Sequence, residues 1–424
     1  MFNCIFSVKG MNDVLPNKVF VWQYIEDIIR KLMISYGYVE IRFPIVEKTI
    51  LYLRSIGEGS DILEKEMYSF KDKNNVFLSL RPEGTVGCAR MVIENGLVYN
   101  NKQQKLWYIG PMFRRENTQK GRYRQFHQFG IEAFGYHDID IDVEQILIIK
   151  NLFTVLNVNN KLILQINCIG SLATRSIYKN SLFIYFSNYI TFFDEDDKNK
   201  LLINPILLLD SKKLKLKKII KNAPKIINFL DEYSKNKFFL FLRKLINLNI
   251  NFILNENLVR GLDYYNDIVY EWIFENNKSQ NSLCGGGRYD RLISQLGFKN
   301  VLGVGFGIGM ERLISLYNKN VFFNKFYLNL FLICIGEKAQ FLKFKLSELI
   351  RLLYPNIFLC TFYGINSYTN QLKKAYKSNA SLIFIIGDNE LKNYDVKVKF
   401  LNCNFADKII SINNINNLWR NFDV

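Results

Sequence analysis

Histidine is almost missing from this chain: two in 424 residues, His127 and His137. That scarcity excludes a His-rich metal site and argues against a mechanism resting on a histidine base. The seven cysteines, at positions 4, 88, 168, 284, 334, 360 and 403, are odd in number and never form a C-x-x-C pair. They give no disulfide framework and no zinc site, and they suit a reducing, cytoplasmic setting. No apolar run reaches the ~18 residues of a membrane span, and the first residues lack a charged-then-apolar leader. Neither a G-x-x-x-x-G-K-[ST] phosphate cradle nor a dinucleotide G-x-G-x-x-G after a parallel strand occurs, and no nucleophilic Ser or Cys sits beside a histidine.

What is present is length, apolar content and positive charge. A chain of 424 residues exceeds one typical core, so two or three domains are expected. Hydrophobic residues make up 49% and aromatics 15%, ample for packed cores. The net charge of +17 favours a polyanionic partner, nucleic acid or an anionic surface. An AT-rich coding sequence would enrich Lys, Asn, Ile, Phe and Tyr as well, so charge alone leaves both readings open.

Apolar residues at Val21, Ile25, Ile28 and Leu32 predict a helix over 19–36 that Gly37 stops. Tyr38 to Phe43 reads as a strand. MYSF and VFLSL read as a hairpin about Asp72–Asn75. RPEGT follows, with Pro82 ahead of a helix reaching about Asn95, so Glu83 falls at a strand-to-helix junction. A carboxylate there is often only a partner of the helix dipole.

The stretch from Leu106 to Phe134 predicts two strands joined by a charged loop. Trp107, Ile109 and Phe113 alternate with Tyr108, Met112 and Arg114. On the second strand His127, Phe129, Ile131 and Ala133 face one way, and Gln128, Gly130 and Glu132 the other. An amide, a missing side chain and a carboxylate on one face describe a floor for a polar ligand. A solvated basic hairpin is the plainer reading. Val143 to Leu156 reads as helix, Leu162 to Asn167 as strand, and about 171–250 as a lysine-rich helical insertion.

Chemistry returns at LVRGLDYYNDIVYEWIF, read as a strand interrupted by Gly261 that gathers Arg260, Asp263, Tyr264 and Tyr265. CGGGRYDRL follows, read as a glycine turn ahead of a helix carrying Arg288 and Asp290. In VLGVGFGIGMERLISL, glycines at 303, 305, 307 and 309 strip one face of a strand, admitting a flat group or another backbone. Arg312 falls in the first turn of the next helix, where an anion is already favoured. From about Phe326 strands alternate with helices, ending in a hairpin-like pair and a short terminal helix, which predicts a separate α/β domain. Several arginines, carboxylates and a glycine-stripped strand suit phosphoryl or nucleotidyl chemistry driven by positioning and charge neutralisation.

RPEGT, GPMFRRE, GRYRQFHQFGIEAFG, LVRGLDYY, CGGGRYD and GFGIGMERL, in this order, resemble the bacterial histidyl-tRNA synthetases, which are class II aminoacyl-tRNA synthetases. KGMNDVLP at Lys9–Pro16 and EIRFPIVE at Glu40–Glu47 add to the likeness, which is dense to about residue 316. The resemblance implies an α+β class II core over 1–325, an antiparallel sheet flanked by helices with the helical insertion. A C-terminal α/β anticodon-binding-like domain would span 326–424. It implies activation of L-histidine by ATP to histidyl-adenylate and pyrophosphate, then transfer to the 3′ end of tRNA(His). Glu83, Thr85 and Gln128 would hold the α-amino side, and Glu132 and Tyr265 would read the imidazole beside Tyr264. Arg260 and Arg114 would be catalytic, on the carboxylate and α-phosphate, with Arg312 on the γ-phosphate and Arg122 nearby. Mg²⁺ would accompany ATP, without zinc, and the FPIVE region would lie at a homodimer interface.

Three departures stand out. Where the family has Arg-Pro after the Glu, this chain has Asn117 and Thr118, in a loop whose Glu116, Asn117 and Gln119 would contact the acceptor end of tRNA, including its extra 5′ guanylate. The family's glycine-rich segment in the last domain is YGINSYTN here, and Arg291 stands where a small residue is commoner. A non-catalytic paralogue, a regulatory subunit or tRNA-binding protein, is the alternative; such proteins typically degrade the arginine and LVRGLDYY motifs, which persist here.

Overall fold

A computed structural model describes residues 4–57, 60, 62–119, 121–211, 213–274, 282–317, 328–355, 357–364, 366–378, 380–401 and 406–412. Contacts divide the chain into two units, Met1–Tyr317 and Asn318–Val424.

The first unit begins with α1 (Pro16–Ser35), started by Pro16 and closed by Gly37 at φ +73°. Its buried residues are Val21, Ile25, Ile29 and Met33, four apart, so the buried face turns one residue from the predicted one; Ile28 and Leu32 flank it, half-buried. Short strands β1 (Val39–Glu40) and β2 (Val46–Lys48), helix α2 (Thr49–Ser55), and strands β3 (Ser69–Lys71) and β4 (Phe77–Leu80) follow. The turn between β3 and β4 is the predicted one. The Asp72 carboxylate accepts from the backbone N–H of Asn74 and of Val76, and Asn75 is left-handed at φ 61°.

Helix α3 (Thr85–Glu94) leads to β5 (Gln104–Phe113) and β6 (Gln125–Phe134), then α4 (Asp140–Val155) and β7 (Leu162–Cys168). Helices α5 (Leu172–Ser187), α6 (Glu195–Ile203), α7 (Lys217–Lys221) and α8 (Glu232–Asn247) fill the stretch read as an insertion. Strands β8 (Ile253–Leu254), β9 (Asn266–Phe274) and β10 (Ser282–Arg288), helix α9 (Leu292–Gln295), strand β11 (Gly303–Gly309) and helix α10 (Met310–Leu316) complete the unit. The main sheet has the order β1-β5-β6-β11-β10-β9-β7-β8, antiparallel except at its two edges. Apolar residues of α1, α4 and α8 pack on one face against Trp107, Phe129, Ile131 and Tyr270, burying the face of the hairpin that alternation assigns to the core. The other face carries the site.

Two expectations fail. Leu258–Tyr265 forms a loop, not a strand, so Arg260, Tyr264 and Tyr265 approach the sheet from outside its plane. CGGGR belongs to β10 rather than to a turn, because its glycines pair with β9 and β11 on both sides. Arg288 therefore ends a strand instead of riding a helix. It is wholly buried against the equally buried Asp142, with Nε–Oδ1 at 3.0 Å and Nη2–Oδ2 at 2.6 Å, and also donates to the carbonyls of Tyr136 and Asp138. Asp290 accepts from Asn266 Nδ2 and from the Gly303 N–H.

The second unit has strands β12 (Leu328–Cys334), β13 (Ile357–Thr361), β14 (Leu382–Ile386), β15 (Asp395–Phe400) and β16 (Lys408–Ser411), with helices α11 (Glu337–Leu353), α12 (Tyr368–Lys377) and α13 (Asp388–Asn393). Its order is β13-β12-β14-β15-β16, parallel for the first three and antiparallel thereafter. Helix α13 was not foreseen, and the predicted terminal helix lies outside the described residues. Among the described residues no helix is long and apolar enough to cross a membrane, and six cysteines are free.

Removing one partner of the Arg288–Asp142 pair strands a buried charge. Asp142→Ala is expected to cost about 3–5 kcal/mol of stability, read by urea denaturation.

Candidate active site

One row of paired residues crosses the site face of the sheet: Tyr108, Gly130, Gly307, Gly285, Glu271 and Gln165 on β5, β6, β11, β10, β9 and β7. Paired residues project to the same face. Three adjacent glycines therefore cut a trough into the sheet, bounded by a phenol and a carboxylate. The chain's own side chains lie in it. A Cβ on Gly130 would collide with the Tyr108 ring, one on Gly307 with the Gln128 amide, and one on Gly285 with the Arg260 guanidinium. One row over, Gly305 leaves room for Glu132 and Tyr289. The glycine-stripped face predicted for β11 thus exists, but most of it is occupied from within.

Above Gly307 and Gly309 a cavity of about 170 Å³ stays open. Glu83, Thr85, Gln128, Tyr264 and Tyr265 line it together with Arg114, Arg122, Arg260 and Arg312. The four arginines are shared with a neighbouring cleft of about 740 Å³, which Ser211 and Lys217 of the insertion also border. Predicted site residues from RPEGT, the β5–β6 hairpin, LVRGLDYY and the start of α10 thus meet at one cavity.

Glu83 caps α3: its carboxylate accepts from the N–H of Thr85 and of Val86 at 2.8 Å, and from Tyr264 OH at 3.2 Å. Burial pushes it above the usual carboxylate range, while those two N–H groups pull it back. The helix-partner reading of Glu83 is correct, and the same carboxylate also faces the cavity. Glu132, fully buried, does not line the cavity itself. It lies behind Thr85, accepting from Thr85 Oγ1 at 2.8 Å, Tyr108 OH at 3.1 Å and Tyr289 OH. Burial pushes Glu132 up to about 8, against the opposing pull of its hydroxyl donors, of which Tyr289 is the strongest.

Two of the arginines are held by backbone oxygens and two by carboxylates. Arg114 Nε donates to Pro82 O at 2.8 Å, and its guanidinium stands over the Phe126 ring. Arg312 donates to Gly121 O and Ser282 O, tying α10 to the β5–β6 loop and to β10. Arg122 pairs with Glu116 at 3.1 Å. Arg260 pairs with Glu271 at 3.0 Å. In the loop itself Gln119 and Arg122 form a bridged turn, Asn117 and Gln119 are exposed, and Thr118 packs on Gly10.

Four residues escape the sequence reading. Tyr108 and Tyr289 satisfy Glu132, and Glu271 holds Arg260. Glu311 accepts from the His127 N–H with both carboxylate oxygens, and its Oε1 lies 3.0 Å from the ring Nδ1. Only Glu271 left a signal, a charge between Val269 and Ile273 in the alternate phase of a largely apolar strand. The one carboxylate cluster among the described residues fit for a metal, Asp194, Asp196 and Asp197, already surrounds the Lys213 ammonium, 2.6 Å from Asp197 and 2.7 Å from Asp194.

A parallel nucleotide fold would use a glycine loop at a helix start; this antiparallel sheet sets a glycine floor, with arginines brought to it by loops and by the start of α10. The main sheet is the catalytic core of a class II aminoacyl-tRNA synthetase. A family model described as histidyl-tRNA synthetase matches residues 10–174. The chain is 43% identical over 412 residues to a histidine–tRNA ligase of Buchnera aphidicola subsp. Baizongia pistaciae, covering 97% of each chain. It is 45% identical over 390 residues to that of B. aphidicola subsp. Schizaphis graminum, covering 92% of this chain and 91% of the relative. The crystal structure of apo histidyl-tRNA synthetase from S. aureus matches with a TM-score of 0.80 at 32% identity, over 98% of this chain and 100% of that one. The chain belongs to the histidyl-tRNA synthetase family.

The Glu132 carboxyl keeps its proton to a higher pH folded than unfolded. The folded protein therefore binds the extra proton between the ordinary value of 4.5 and about 8, and stability falls as pH rises through that window. Glu132→Gln is expected to remove a slope of up to about 1.4 kcal/mol per pH unit, measured by urea denaturation of the ligand-free protein.

Proposed function

We propose that this chain is a histidine–tRNA ligase that condenses L-histidine with ATP to histidyl-adenylate and pyrophosphate and then transfers histidine to tRNA(His). The observation that carries the reading is the intact set of four arginines around one cavity that Glu83, Thr85, Gln128, Tyr264 and Tyr265 also line. A substrate carboxylate is itself the nucleophile toward the α-phosphorus, so no general base is required; the protein must neutralise charge and align the two groups.

In this reading Glu83, Thr85 and Gln128 receive the α-ammonium. Tyr264, Tyr265 and Thr85 face the imidazole, with Glu132 behind Thr85 to set which way that hydroxyl points. A ring with one donor and one acceptor finds matched partners there, and an analogue lacking them leaves those groups unpaired. Arg260 and Arg114 take the histidine carboxylate and α-phosphate as charge builds between them, Arg312 takes the γ-phosphate, and Arg122 supports it. Mg²⁺ enters with ATP. The carboxylates near the arginines, Glu116, Glu271 and Glu311, are each already paired. That fits an ion held chiefly by phosphate and water. When bound, the ion neutralises phosphate charge.

The fold supports two further assignments. The Phe43–Lys48 segment carries exposed Ile45 and Val46, beside exposed Ile50 and Leu53, an apolar strip suited to a homodimer interface. The second unit is the anticodon-binding domain, and charging takes place in the cytoplasm. Relatives that span 92–97% of the chain speak against a regulatory paralogue.

Histidine-dependent ATP–pyrophosphate exchange tests the reading, and its absence in folded protein would sink it. Arg260→Ala is expected to abolish exchange while calorimetry still detects histidine binding. Because Asn117 replaces an arginine, charging of tRNA with and without the extra 5′ guanylate should differ by less than the roughly 10–100-fold that loss of charge-assisted contacts brings. A strong retained dependence would reject that role for Asn117.

A further inference from the structure

Arg260 sits on a loop, not on the sheet, yet its guanidinium must meet two oxyanions at once. An arginine on a loop has many rotamers to lose, so something has to fix it. Its guanidinium rests on Gly285, in space that a Cβ would take. Gly285 is the cross-strand partner of Glu271, and Glu271 Oε1 accepts from Arg260 Nη1 at 3.0 Å. Both side chains are 20% exposed, and among the described residues Glu271 is the one carboxylate ion-paired with Arg260. The Tyr265 ring centroid lies 5.7 Å from Cζ. Among the described residues the buried Nε–H of Arg260 has no hydrogen-bond partner. One end of the fork is thus anchored while donor capacity is left over.

We propose that Glu271 is a positioning residue for adenylate formation: it pins Arg260 flat on Gly285, so that the remaining N–H donors of the guanidinium are already aimed when histidine and ATP arrive. This rests on the ligase reading above. An ordinary surface ion pair contributes little. This one differs because its effect falls on the geometry of a group that acts only as charge moves in the transition state. The neighbours favour the assignment. Gln165, next to Glu271 across the sheet, is neutral and accepts from Asn255 Nδ2 at 2.8 Å, so it offers Arg260 no competing charge. Both Arg260 and Glu271 border the larger cleft, where a polyphosphate would lie.

The test is a double-mutant cycle on histidine-dependent ATP–pyrophosphate exchange, using the full-length protein, Glu271→Gln, Arg260→Lys and the double variant, each checked by circular dichroism. Glu271→Gln is expected to lower kcat roughly ten- to hundredfold with KM for histidine nearly unchanged, and to add less than about twofold in the Arg260→Lys background. Glu271→Asp, which keeps the charge but withdraws it by one methylene, should fall between. An equal loss from Glu271→Gln in both backgrounds would overturn the proposal, as would recovery of kcat at high Mg²⁺, which would make Glu271 a metal contact instead. Exchange unchanged in both Glu271 variants would overturn it as well. No exchange in the unmodified protein would remove the ligase reading itself, whereas an active protein with an additive cycle removes only the role of Glu271.

Discussion

Three glycines that face one another across neighbouring strands, Gly130, Gly307 and Gly285, set the depth at which the rest of the site lies. A Cβ on any of them would drive out the side chain above it: a tyrosine, a glutamine or an arginine. Close packing makes this a sharp constraint, since an interior at crystal-like density cannot absorb a methyl group without moving a neighbour. The trough lets Gln128 and Arg260 lie low enough for the cavity above them to hold a small polar substrate.

Beneath the cavity the structure accepts a costly arrangement. Glu132 is buried without a cation and is held by three hydroxyls, two of them phenols. Buried carboxylates are tolerated when every oxygen is satisfied and become expensive when one is not. The consequence is a rigid floor: Thr85, Tyr108 and Tyr289, from α3, β5 and the turn after β10, are all oriented by one carboxylate. RYD is therefore a latch of three parts, with Arg288 anchored to α4, Tyr289 to the floor, and Asp290 to Asn266 and the start of β11.

Much of this was legible in the chain. Alternation fixed the two faces of the β5–β6 hairpin, because a strand has a strict period of two and one face had to be apolar. Helix α1 lies within three residues of its predicted span for the equivalent reason at a period of 3.6. Errors arose where local sequence carries two meanings. A glycine triplet reads as a turn, but between two partner strands its backbone groups pair and it becomes β10. LVRGLDYY has the composition of a strand, yet it runs as a loop, its tyrosines packing on the sheet from outside.

By itself the sequence determined the class of chemistry. The scarcity of histidine and the absence of phosphate-loop and dinucleotide motifs, together with ordered arginine motifs and a glycine-stripped strand, left phosphoryl or nucleotidyl chemistry driven by positioning and charge neutralisation. These properties are one-dimensional: they depend on which residue types exist and at what spacing. Only the tertiary structure decided which partner each charge has. Arg288 with Asp142, Glu311 with His127 and Arg260 with Glu271 join residues 146, 184 and 11 positions apart, and no local pattern encodes such pairings. Coulomb and hydrogen-bond energies depend on distances of a few ångströms, and burial multiplies them. Those distances exist only once the sheet has brought its strands together.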